Sequence, residues 1–197
     1  MKVDPFRPVP EQEVTQLLAE IHKQPELFEQ LLPLVYDDMK RIGRAQRQRL
    51  GSSATLRTTA LVHEAFLKMQ KSAGGEIENR LHFQRLVARV MRQLIVDYAR
   101  KQLAEKRGGD QIRETFEEAE YSLEAEDLVR VMAVDAALQR MATDDRRMTE
   151  ALVAQLYAGF TVEEIGEMFG LSSRTVIRDL RRARAWLTIE LAEFDPG

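Results

Sequence analysis

The chain has 197 residues, 44% of them hydrophobic, and a formal net charge of −3, which leaves room for one domain or two small ones. It contains no cysteine, which excludes a disulfide scaffold and thiolate metal sites. No apolar run approaches membrane-spanning length and MKVDPFRPVP lacks a signal-peptide core, so a cytoplasmic protein without a membrane partner is expected.

Residues 1–10 are proline-rich and read as a flexible tail. Beyond them apolar residues recur at three and four, which predicts an all-α chain. A first helix is predicted over Glu11–His22. A second starts near Pro25 and runs through LFEQLLPLVYDDMKRIGRAQRQRL, with Pro33 expected to kink or restart it. Gly51-Ser52-Ser53 breaks the chain. The third helix, TTALVHEAFLKMQ, starts near Thr58 or Thr59 and carries Leu61, Val62, Phe66 and Met69 on its apolar side. Lys71 to Arg80, with Gly74-Gly75, reads as a loop. The fourth helix, LHFQRLVARVMRQLIVDYARKQLAEKR, has Phe83, Leu86, Val87, Val90, Leu94 and Ile95 for a core, and Arg85, Arg89, Arg92 and Gln93 along another face.

Gly108-Gly109 closes a first domain of residues 11–107. Residues 108–122 form an acidic, core-poor linker, expected to be flexible. A second domain, 123–194, is predicted to hold helices at Leu123–Met141, Arg146–Ala158, Thr161–Phe169 and Ser173–Phe194.

The segment TVEEIGEMFGLSSRTVIRDLRRARAWL, Thr161 to Leu187, outlines a helix-turn-helix. Thr161 and Glu164 fit a capping box, Gly170 suits a left-handed helix end, and Ser172 or Ser173 can cap the next helix. Val176, Leu180, Ala183 and Leu187 form one apolar stripe. Between Ser172 and Ala185 five arginines face a single acid, Asp179, so the second helix is basic although the whole chain is not. Ser172, Ser173, Arg174, Thr175 and Arg178 are placed to read bases, and Arg181, Arg182 and Arg184 to hold phosphates.

Charge also segregates elsewhere. Arg80 to Arg107 holds eight basic residues against Asp97 and Glu105, whereas Glu114 to Asp127 holds seven acids and neither Lys nor Arg, so local fields rather than net charge decide the partners.

In order and spacing these segments resemble bacterial RNA polymerase sigma factors of the extracytoplasmic-function (ECF) type, which keep only regions 2 and 4. The resemblance covers about Glu11–Leu191. GLSSRTVIRDLRRARAWL is similar to region 4.2 and ALVHEAFLKM to region 2.2. FQRLVARVMRQLIVDYARKQ resembles regions 2.3 and 2.4, through Arg92, Gln93, Leu94, Ile95, Asp97 and Arg100.

The resemblance implies core RNA polymerase and promoter DNA as partners, and no cofactor. The first domain would bind the β′ clamp helices, with Leu61, Glu64 and Phe66 as contacts, and would melt the −10 element. Arg85, Arg89, Arg92, Gln93, Arg100 and Lys101 would then track the single strand. Tyr98 offers either a stacking surface or a core aromatic. Asn79 and Arg80 stand where a flipped −10 base is held. The second domain would read the duplex −35 element and touch the β flap. The linker's carboxylates would either pass through the polymerase's RNA path or be merely solvated.

One departure matters. Where ECF factors carry acids before the region 2.2 Leu-Val, this chain has Arg57, Thr58, Thr59 and Ala60. Phosphate on Thr58 or Thr59 would restore about −1.5 to −2 charges at a helix N-terminus. That implies a Ser/Thr kinase as regulator in preference to an anti-sigma factor; the alternative is a threonine that only caps the helix. A helix-turn-helix regulator that binds duplex DNA without polymerase is the competing reading. Catalysis is not expected. Asp37-Asp38, Asp144-Asp145 and Glu163-Glu164 are sequence neighbours that diverge on a helix, and His22, His63 and His82 lack metal-ligand spacing.

Overall fold

The computed structural model describes residues 11–21, 23–24, 26–48, 50, 55–71, 77–105 and 121–192. The predicted tail, the Gly51-Ser52-Ser53 break, His22, Gly74-Gly75 and residues 108–120 of the acidic linker lie outside them.

Eight α-helices stand among the described residues: α1 (Glu11–Glu20), α2 (Leu27–Arg47), α3 (Thr58–Lys71), α4 (Arg80–Glu105), α5 (Ala125–Asp144), α6 (Arg146–Val153), α7 (Val162–Phe169) and α8 (Ser173–Ala192). None is long and apolar enough to cross a membrane. The fold is all-α, with one small addition: β1 (Thr55–Leu56) pairs antiparallel with β2 (Tyr121–Ser122). The pair ties the segment before α3 to the segment before α5.

Helical spacing explains the core. On α2, Phe28, Leu31, Val35, Met39 and Ile42 form one fully buried stripe. It packs against α3 and α4, and Phe28 meets Phe66 with ring centroids 4.7 Å apart. Pro33 does not restart the helix, which is continuous from Leu27 to Arg47. Pro33 lies on the exposed side, so the carbonyl it leaves without a helical donor faces water, while Leu31 and Val35 anchor the chain on either side.

The predicted helix Arg146–Ala158 is in fact two pieces. Asp145 caps α6 by accepting from the Met148 amide at 2.9 Å. After Val153 the backbone widens into one π-helical turn, Ala154–Ala158, which stops at Gly159 with φ +71°.

The helix-turn-helix follows the sequence closely. Thr161 Oγ1 accepts from the Glu164 amide at 3.1 Å, and Glu164 Oε2 accepts from the Thr161 amide at 2.8 Å, so both halves of the capping box are made. Gly170 ends α7 in the left-handed region, at φ +63°. Ser172, rather than Ser173, caps α8, accepting from the Thr175 amide at 3.3 Å. The turn is tight because Gly166 has no side chain: a Cβ there would stand 2.7 Å from the Leu171 carbonyl oxygen. Gly166→Ala is therefore expected to cost about 1–3 kcal/mol, read as a lower urea midpoint with an unchanged slope; an unaltered midpoint would refute the close-approach argument.

Candidate nucleic-acid interface

The buried side of α8 determines what its other side can present. Val176, Leu180 and Ala183 are buried at 2% exposure or less, against α7 and α6. Arg174, Arg178, Arg181 and Arg182 are turned the other way and exposed. With Thr175 and Ile177 they border one open concave surface. Ser172 and Ser173 are exposed at its N-terminal end, where the Ser172 and Thr175 hydroxyls lie 2.9 Å apart.

The acid among these arginines, Asp179, does not spoil this face. Asp179 is buried at 2% exposure, and its Oδ2 accepts from Arg147 of α6 at 2.9 Å. Arg178 Nε lies 3.6 Å from the other carboxylate oxygen. Arg184 departs from its sequence-based role in part. It is exposed, but its guanidinium donates to Gln155 of the π turn rather than standing among the other arginines. Ile177, which the sequence reading passed over, is 40% exposed beside the arginines. Its neighbours' charge and its own position one residue past Val176 were the available signals.

The α4 candidates are more dispersed. Arg85 is half-buried and Arg89 exposed. Arg100 Nη1 lies 3.3 Å from Asp97 Oδ1, which also accepts from Gln93 at 2.8 Å, and Lys101 lies 3.7 Å from Glu105. Tyr98 is half-buried against the core. Asn79 Oδ1 accepts from the His82 amide at 2.8 Å and so caps α4, while Arg80 Nε donates to Asp38 of α2 at 2.7 Å. Part of the loop before them, residues 72–76, lies outside the described residues.

Arg92 stands apart from the other α4 candidates. Rather than lining a free basic track, it points between the two halves of the chain and pairs with Asp135 of α5. Gln139 supplies the second Asp135 oxygen with a hydrogen bond of 2.7 Å, and the Arg92 guanidinium lies 5.5 Å from the Tyr157 ring centroid. The periodicity of α4 identified a polar face; it could not say that α5 covers part of it.

Leu61 and Phe66 are buried, at 0% and 8% exposure, and build the packing of α3 on α2. Glu64 is half-buried. Of the two threonines at the start of α3, Thr59 is exposed. Thr58 is half-buried and so close to α2 that a Cβ on Gly43 would stand 2.9 Å from its Cγ2.

The two halves meet through polar contacts that the sequence did not announce. Gln46, 1% exposed, donates from Nε2 to the carbonyls of Ala88 and Tyr157, both at 3.1 Å. Arg41 donates to the Ala158 carbonyl at 3.2 Å and lies over the Phe160 ring. The Tyr157 and Ala158 carbonyls belong to the end of the π turn, where no helical amide remains to serve them. A cavity of about 180 Å³ remains beside them, walled by Gln46, Arg92, Ile95, Val131, Tyr157 and Leu187 among others.

A model of the family described as ECF sigma factor matches residues 11–193. Neither the curated proteins nor the solved structures yield a significant match.

Removing one partner of the Arg92–Asp135 pair strands a largely buried charge. Asp135→Asn should lower unfolding stability by roughly 3 kcal/mol, and Arg92→Met combined with Asp135→Leu should recover most of that loss. Urea denaturation of the three proteins checks this; equal stability of Asp135→Asn and wild type would count against the joint.

Proposed function

This chain belongs to the ECF sigma factor family, so it is an alternative sigma factor acting with core RNA polymerase on promoter DNA, and on that premise we propose how its two halves share the work. In this reading α8 reads the duplex −35 element. Arg174 and Arg178, in the first turns of the helix, reach base edges, and Arg181 and Arg182 hold the flanking phosphates. The observation that carries it is the exposed arginine face of α8, backed by a fully buried stripe, with Asp179 buried beneath it and held by Arg147. The β flap is the protein partner assigned to this half.

The first half engages the β′ clamp helices through the exposed side of α3 and handles the −10 strand through Arg85, Arg89, Arg100 and Lys101, with Arg92 joining only if it leaves Asp135. Asn79 and Arg80, at the start of α4, are the residues for a flipped base.

Regulation is assigned to Thr59 rather than Thr58. The first turn of α3 contains no acidic residue, so a phosphate there would supply a charge that the helix dipole favours. Thr59 is exposed and can carry that group without disturbing its neighbours. On Thr58 the phosphate would have to part α3 from Gly43 of α2. A Ser/Thr kinase is the partner this implies, in preference to an anti-sigma factor.

Runoff transcription and core-binding assays test both assignments. Arg178→Ala should weaken promoter recognition by roughly 1–3 kcal/mol while leaving affinity for core polymerase unchanged. Thr59→Glu should bind core polymerase more tightly than unphosphorylated wild type, with Thr58→Glu giving no such gain. If unphosphorylated wild type binds as tightly as Thr59→Glu, the switch is wrong; if no promoter-dependent transcript forms with core enzyme, the larger reading is wrong.

A further inference from the structure

We propose that Ile177 reads the C5-methyl group of one thymine in the DNA bound by α8, making it a specificity-determining residue. The inference rests on the reading of α8 as the −35 helix. Val129, Ile177 and Ile189 are the large hydrophobic side chains that stand exposed among the described residues, and only Ile177 lies on the arginine side of α8.

Its position on the helix makes it dispensable to the core. Successive residues on a helix point about 100° apart, so Ile177 is turned away from Val176, which is fully buried. It lies one helical turn from both Arg174 and Arg181 and borders the same concave surface. The surrounding guanidiniums recruit phosphates and guanine edges, neither of which offers anything to an aliphatic side chain. The exposed edges of base pairs in the major groove carry one apolar group, the thymine methyl, which is an acceptable cover for an isoleucine. Isoleucine is also stiff at χ1, so it presents its methyl groups at a defined place rather than sweeping the groove.

The cleanest test removes a single methyl from the DNA. Duplexes selected from a randomised pool by the wild-type holoenzyme define the element, after which each thymine in it is replaced in turn by deoxyuridine. Wild type should lose about fourfold in affinity at one thymine, the effect of exposing one methyl-sized group. Ile177→Ala should bind the thymine duplex about fourfold more weakly or worse and no longer distinguish thymine from uracil there. Ile177→Val should retain part of the distinction. Because Ile177 lies outside the core, its variants should unfold at the wild-type temperature.

Arg178→Ala separates the two levels of failure. If it too leaves duplex binding unchanged, α8 is not the reader and the underlying reading fails. If Arg178→Ala weakens binding but the element contains no thymine, or no methyl matters, or Ile177→Ala keeps the wild-type sensitivity, the assignment of Ile177 is overturned. Weakened core-polymerase binding by Ile177→Ala, with unaltered methyl sensitivity, would place a protein surface over it and overturn it equally.

Discussion

The arrangement of the described helices depends on how a widened helix end is satisfied. The π turn Ala154–Ala158 finishes with carbonyls that no amide of its own helix reaches, and two side chains of α2, Arg41 and Gln46, donate to them instead. Gln46 reaches an α4 carbonyl with the same amide nitrogen, so one buried residue joins three elements. Hydrogen bonds of this kind add modest net stability, but leaving such carbonyls dry and unpaired costs more than forming the bonds gains. The contact therefore selects one orientation of the C-terminal helices against the rest, where an apolar interface alone would tolerate several.

A second economy operates in α8. An acid in a basic helix ordinarily weakens its attraction for phosphates. Here Asp179 is withdrawn into the interior, where Arg147 answers it, and it becomes a tie between α6 and α8. The arginines outside keep their field, and the capping box, Gly166 and Ser172 hold the helix that bears them at a fixed angle. Rigidity in the turn matters because base reading discriminates through geometry that a mobile helix would blur.

What was legible in the residues follows from the range of the forces involved. Caps, the Gly170 stop and the buried stripes of α2, α3 and α8 arise within a few residues of one another, and the sequence pattern contains all of them. The π turn was missed because nothing in AQLYAGF departs from helical periodicity. Pro33 does not restart α2 because burial on both sides of it outweighs one missing hydrogen bond. The apolar character of Leu61 and Phe66 serves the core. Arg92 and Ile177 show the limit from opposite directions. Spacing places a side chain on a face, but only the packing of distant segments decides whether that face meets protein or water.

The pairing of Arg92 with Asp135 sets up a competition. One guanidinium cannot serve α5 and an incoming phosphate together, so any ligand that claims Arg92 must first give back what the ion pair contributes. Thermodynamic linkage makes that exchange symmetrical. A nucleic acid that bound better to the molecule with this joint released would loosen the joint, and anything that tightened the joint would weaken the nucleic acid by the same factor. The two halves would then be in communication through the ownership of a single cation, with no other moving part required.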